Sequence, residues 1–264
     1  MKKKYFESVD HPYYICALDY RNSSAGIRAL HYLCHALNEL GQESYIICGI
    51  VNPKLRTPKL TKDIINKHKE TKRIPIVLYP EIVHWIPLDL PIVARWILNT
   101  PGHLGGDSWY DIKEILFYYD KGFLPKRMNA EALYIPTIDR SIFNNEDNSE
   151  DLKRNSVCYY ANKYLISGGK LTHHPNNAIS LCQDVKLTPK EIASILRGSK
   201  LLYCYEPSAI ISEAILCGCP VLVAPTEYIK QFKNVNFGSF GVSVGVDQEA
   251  IEYAKSTLKE FNKT

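Results

Sequence analysis

Long apolar runs are missing from this sequence. None approaches the roughly 20 residues that a membrane-spanning helix requires. The opening Met1-Lys2-Lys3-Lys4 is basic, but no apolar stretch follows it, so it does not read as a secretory signal. A complete G-x-G-x-x-G is also missing, which argues against a dinucleotide-binding opening. Charge of one sign is not in excess. The formal net charge is +4, and no basic stripe with interleaved aromatics suggests nucleic acid as a partner. Cysteines number eight, yet they lack metal-ligand spacing. Cys217 and Cys219 have one residue between them, no Cys/His set follows, and the adjacent His173 and His174 lack further ligands. Cys16, Cys48, Cys158, Cys182 and Cys204 lie in apolar runs and read as buried free thiols of a reducing cytosol.

What is present is ordinary globular material, 264 residues with 45% hydrophobic and 23% charged, enough for one large or two small domains. The clearest organisation lies between Leu201 and Val223. Leu201 to Tyr205 reads as a buried strand, and Ile210, Ile211, Ala214, Ile215 and Leu216 follow at helical spacing. Pro207 suits the first helical position, Gly218 suits the end, and Val221 to Val223 reads as a second strand. That is a parallel crossover unit, with the free N–H groups of Ser208 and Ala209 at the carboxyl end of the first strand, a place where phosphates bind well.

The first half repeats the pattern. Tyr13 to Leu18 is a strand, a loop runs from Asp19 to Gly26, and a helix from about Ala25 to Leu40 carries Ile27, Leu30, Leu33, Cys34 and Leu37 on one face. Gly41 stops that helix before the strand Ser44 to Cys48. Residues 57–72 form a polar, Lys-rich helix or loop, and a strand follows over Ile74 to Tyr79. Asp89 or Leu90 then begins an expected helix with Ile92, Val93, Trp96 and Ile97 inward. Ile115 to Tyr119 and Ala132 to Ile135 are further strands. The acidic, Asn-rich run Asn144 to Asp151 is the best linker, giving domains over 1–142 and 143–246 and a closing helix over 247–264 that packs back toward the first domain. In the second half, Ser156 to Ala161 is a strand, Thr188-Pro189-Lys190-Glu191 starts a helix with a capping box, and Val242 to Val244 is the last strand before a helix capped by Asp247.

Three segments carry a resemblance. Ser212-Glu213-Ala214-Ile215-Leu216-Cys217-Gly218-Cys219-Pro220-Val221 resembles the donor-site signature of GT-B glycosyltransferases, E-x7-E followed by A-x-x-x-G-x-P-V. Val93-Ala94-Arg95-Trp96-Ile97-Leu98-Asn99-Thr100-Pro101-Gly102 resembles the V-x-R-W-x-L-N-x-P-G segment of bacterial surface-polysaccharide (O-antigen or capsule) glycosyltransferases. Ser24, Gly26 and Arg28 match the S-x-G-x-R loop that lies beneath donor phosphates and acceptor. The resemblance implies an α/β protein with two Rossmann-like domains, parallel sheets and a cleft between them. It places the ribose contact on Glu213 and a pyrophosphate contact on Lys163, and it puts Gly26, Arg28, Tyr205, Ser208 and Ala209 around the nucleotide. The first acidic position of the signature falls on Tyr205, with Glu206 beside it, so the stereochemical course stays open.

On that resemblance the chain is expected to be a metal-independent hexosyl- or pentosyltransferase. It would move sugar from a nucleotide-sugar donor to a glycan or lipid-linked glycan in polysaccharide or lipopolysaccharide biosynthesis, in the cytoplasm or peripherally on the cytoplasmic membrane face. No D-x-D occurs, and no cofactor is expected beyond the donor itself. Lys163 and Arg28 would offset the charge of the leaving nucleoside diphosphate. Glu81, His84 and Asp19, each at the end of a predicted strand, are candidates for a general base, with His84 favoured for its near-neutral ordinary pKa. Glu206 joins Glu81 and His84 as a catalytic candidate. Two alternatives remain open: a non-catalytic GT-B-like module of a larger synthase, and a sugar-nucleotide epimerase.

Overall fold

A computed structural model describes residues 10–84, 88, 90–146, 154–232 and 235–261. The chain divides into two compact units, 1–137 and 138–264. The passage into the second unit comes at Ile138, ahead of the polar run, because Ile138, Ile142 and Phe143 pack on the second unit's core.

The first unit holds β1 (Tyr13–Cys16), α1 (Ala25–Glu39), β2 (Ser44–Ile47), α2 (Lys62–Glu70), β3 (Ile76–Pro80), β4 (Ile92–Ile97), β5 (Ile115–Tyr118) and β6 (Glu131–Ala132). Its six strands form one sheet in the order β2-β1-β3-β4-β5-β6, and every neighbouring pair is parallel. Strand side chains alternate between faces, so the sheet has a core on each side. Ile15, Ile46, Leu78 and Trp96 meet Leu30 and Leu33 of α1 on one face. Tyr14, Val77, Tyr79 and Val93 pack with Ile65 of α2 on the other.

The stretch expected as a helix from residue 89 or 90 is instead β4. Its six residues Ile-Val-Ala-Arg-Trp-Ile are almost wholly buried, and a parallel strand covered on both faces reads as an unbroken apolar run without alternation. Such a run fits helical spacing as well as strand spacing. Arg95 in the middle of it is 1% exposed.

The second unit holds β7 (Ser156–Tyr160), α3 (Asn162–Ile166), β8 (Ile179–Ser180), α4 (Pro189–Gly198), β9 (Ser199–Cys204), α5 (Ile210–Leu216), β10 (Val221–Val223), α6 (Glu227–Lys230), β11 (Val242–Val244) and α7 (Gln248–Phe261). The strand order is β8-β7-β9-β10-β11, again all parallel. Both sheets therefore share one plan, with the first strand of each unit between its second and third. Leu196 of α4, Ile211 and Ala214 of α5, and Leu258 of α7 close the core over Cys158, Leu202 and Val221. The capping box read at Thr188 is present, with the Thr188 side chain taking the Glu191 N–H and Glu191 returning to the Thr188 backbone. The last helix, α7, lies on β10 and β11. The α5 helix has only two turns and begins at Ile210, so Pro207 stands outside it rather than at its first position.

Gly218 follows α5 at φ +71°, and a Cβ there would come within 2.6 Å of the Arg154 side chain, so the position demands glycine on two counts. Among the described residues no helix is long and apolar enough to cross a membrane.

Candidate functional site

In an open parallel sheet, a crevice forms where strands on either side send their connections to opposite faces, at the carboxyl ends. The shared strand order puts that switch point between β7 and β9 in the second unit, and between β1 and β3 in the first.

At the β7/β9 switch point the chain turns after Tyr160 into α3, and after Cys204 into the segment Tyr205 to Ala209. Two contacts tie these segments together. The Lys163 ammonium donates to the Pro207 carbonyl at 3.1 Å. The Tyr164 N–H donates to Glu206 Oε2 at 2.9 Å. Ala161, the residue before α3, has no side chain able to cap it, so Glu206 supplies the missing acceptor from a distant part of the chain. Glu206 is fully buried, and its Oε1 has no hydrogen-bond partner among the described residues. Burial raises its pKa, opposed by the Lys163 charge and backbone N–H groups. Burial, and then the Glu206 charge, push the Tyr160 hydroxyl up as well; the Ser208 and Asn162 side chains lie within its reach. Ser208 and Ala209 are half-buried at this edge.

Aromatic rings wall one side. Tyr205 stacks on Tyr164 with centroids 5.2 Å apart, and Tyr164 meets Tyr228 edge-on. The Tyr205 hydroxyl accepts the His173 N–H at 3.0 Å and lies 2.7 Å from His174 Nδ1. Burial, then the neighbouring His173, lower the His174 pKa, which suits a neutral imidazole accepting the Tyr205 proton. His174 also stacks on Tyr159 at 4.1 Å.

The structure thus brings Lys163, Tyr205, Glu206, Ser208 and Ala209 to one switch point. Glu213 lies a turn further along α5, 4% exposed. Burial, and with it the Glu213 carboxylate, push the Cys217 thiol up to about 11, which ties Glu213 electrostatically to the far end of the helix.

The first unit's candidates gather at its own switch point, Gly26 and Arg28 in the first turns of α1 and Asp19, Glu81 and His84 held by hydrogen bonds in loops. Asp19 accepts the N–H groups of Gly49 at 2.7 Å and Ile50 at 2.8 Å. Ser24 caps α1, Gly26 packs its first turn against Leu98, and Arg28 donates to the Asn22 carbonyl. Glu81 is 3% exposed and accepts the Leu98 N–H at 3.0 Å, joining the ends of β3 and β4. His84 Nδ1 lies 3.1 Å from Asp107 Oδ1, while its Nε2 accepts the Gly106 N–H at 3.2 Å. The backbone donor fixes the tautomer, so Nδ1 carries the proton toward Asp107. Both ring nitrogens are therefore engaged in this structure, although the side chain is half exposed. Gly106 can reach His84 because it has no Cβ: one would stand 2.0 Å from the Glu81 carbonyl, and φ is +77°.

Sequence reading missed Tyr160, Asn162, Tyr164 and Asp107. Asn162 and Tyr164 flank Lys163, and proximity to that residue at a strand end was the available signal. Asp107 lies 23 residues from His84, and nothing local announces the pairing.

No protein-family model matches the chain, and no curated protein matches it in sequence. Among solved structures it is similar to the spinosyn rhamnosyltransferase SpnG complexed with thymidine diphosphate, at 14% identity and TM-score 0.46, covering 96% of this chain and 92% of that one. It is similar to the glycosyltransferase SnogD from Streptomyces nogalater at 13% identity and TM-score 0.46, covering 94% and 95% respectively. A third is the glycotransferase of kitacinnamycin, at 10% identity and TM-score 0.41, covering 95% and 90%. At these scores the likeness carries no functional inference.

Proposed function

We propose that this chain is a glycosyltransferase that binds a nucleotide-sugar donor at the β7/β9 switch point and passes the sugar to a glycan acceptor in polysaccharide or lipopolysaccharide assembly. The observation that carries this reading is the meeting of Lys163 with the Glu206–Pro207–Ser208 segment at the carboxyl ends of β7 and β9. The donor-signature resemblance of Ser212 to Val221 lies in the helix and strand that follow directly. Lys163 exchanges its Pro207 carbonyl for a diphosphate oxygen, a charge-assisted bond at the atom where negative charge develops. The Ser208 hydroxyl adds a neutral donor. Glu206 holds α3, and therefore Lys163, in place. The peripheral membrane location and a lipid-linked acceptor belong to the same proposal.

A second reading has its own support. Asp19, Glu81 and His84 are each hydrogen-bonded into loops, which fits a non-catalytic module that binds nucleotide sugar without turning it over.

Thermal unfolding against UDP, dTDP, GDP and CMP tests both. Ligand at about 100 times Kd stabilises the folded state by about 2.7 kcal/mol, a shift of a few degrees. One nucleotide should produce that shift, and Lys163→Ala should weaken its binding by about ten- to a hundredfold. No shift with any nucleotide overturns the donor site. A shift without hydrolysis or transfer from the matching nucleotide sugars supports the module instead.

A further inference from the structure

Glu206 is wholly buried next to the lysine that the donor reading uses. Its Oε2 takes the Tyr164 N–H at 2.9 Å, while its Oε1 holds no hydrogen bond among the described residues. A buried carboxylate with one bare oxygen is costly unless a cation stands near it. The elements packed around it supply Tyr160 from the end of β7, Tyr164 from α3, Cys182 from beyond β8, Cys204 from β9 and Tyr228 from α6. All five are phenols or thiols, uncharged at neutral pH. Burial pushes Tyr160, Cys182, Cys204 and Tyr228 up, and the Glu206 charge pushes the same way. Among the described residues, Lys163 is the one charge that acts on Glu206, and it lowers the pKa that burial raises.

That ammonium is half-buried and donates to the Pro207 carbonyl at 3.1 Å. In the donor reading, on which this inference rests, Lys163 leaves Pro207 for a phosphate oxygen. Its charge is then shared with an anion, and new negative charge arrives within a lysine side chain's length of Glu206. Both changes favour the neutral carboxyl. Oε2 already accepts a backbone N–H, so the bare Oε1 is the oxygen open to a proton.

We propose that nucleotide binding at the β7/β9 switch point is coupled to the uptake of a proton from solvent, carried by Glu206 on Oε1. The site therefore holds its ligand more weakly as pH rises, because the bound form keeps a proton that the free form has released. Titration calorimetry of the full chain with UDP, dTDP, GDP and CMP, run in HEPES and in Tris, counts that proton from the difference in apparent enthalpy. At about pH 8 the last phosphate ionisation, near about 6, is complete, and any remainder from the ligand is common to parent and variant. The nucleotide that binds should take up about one proton, and its affinity should fall by up to about tenfold per pH unit. Glu206→Gln keeps an acceptor for the Tyr164 N–H; it should bind the same nucleotide with no proton uptake and little pH dependence. A second measurement needs no nucleotide. Lys163→Met removes the counter-charge, so the infrared band of a protonated carboxyl should be present at neutral pH and vanish when Glu206→Gln is added. Binding without proton uptake, uptake undiminished in Glu206→Gln, or absence of that band overturns the inference and leaves the donor site standing. No binding of any of the nucleotides overturns both.

Discussion

Arg95 sits in the middle of a buried strand, where a guanidinium is tolerable only with partners. It has them. Nε meets Glu114 Oε2 at 2.9 Å, Nη1 donates to the Val83 carbonyl at 2.9 Å, and the rings of Tyr110 and Tyr79 lie 4.6 and 5.6 Å from the guanidinium carbon. One side chain thus anchors both long connections that flank β4. Arg95→Ala should cost about 3–5 kcal/mol in urea unfolding, since it leaves the Glu114 carboxylate buried alone. Arg95→Met with Glu114→Leu should recover much of that loss. Neither partner can be identified from sequence. Arg95 stood out in the sequence only through the resemblance of residues 93–102 to a transferase segment, and Glu114 lies 19 residues away in a loop. The same limit applies to Glu206. Its place beside the segment that resembles a donor signature was readable, while its part in capping α3 depends on a pairing 42 residues distant.

Elements were more legible than contacts where their ends carry side-chain chemistry. The α4 helix starts where Thr188-Pro189-Lys190-Glu191 indicates, because each cap partner lies within one turn of the other. Thr188→Ala should therefore lower stability by about 1 kcal/mol, measured as a shift in urea midpoint with unchanged slope. The β4 strand has no such marker. Its apolar spacing fits two periods, and only its neighbours β3 and β5 decide between them. The α5 helix lies between these cases: its apolar face was readable, but its start was misplaced because Pro207 suits an extended turn as well as a first helical position.

At the scale of the whole chain, two sheets on one plan carry opposite responses to acid. Glu43, held down to about 2 in the first unit, binds fewer protons folded than unfolded between about pH 4.3 and 2. Its contribution is present above that window and is lost as pH falls through it. Glu206, raised by burial in the second unit, binds more protons when folded. Its contribution is greatest below about pH 4.3 and is lost as pH rises through its folded value. The fall in unfolding free energy on the acid side should be shallower in Glu43→Gln, and the fall as pH rises through the folded value of Glu206 should be shallower in Glu206→Gln. Either variant leaving its slope unchanged would remove that group from the account.

The placement of the thiols has a practical consequence. All five cysteines of the second unit, Cys158, Cys182, Cys204, Cys217 and Cys219, are buried, whereas Cys16 and Cys48 of the first are partly open. A short pulse of iodoacetamide, followed by peptide mass spectrometry, should mark Cys16 and Cys48 in the native protein and spare the buried Cys34 and the five of the second unit. Those five then record each opening of the second unit as an irreversible chemical tag. The chain carries its own clock for local unfolding, with no engineered probe.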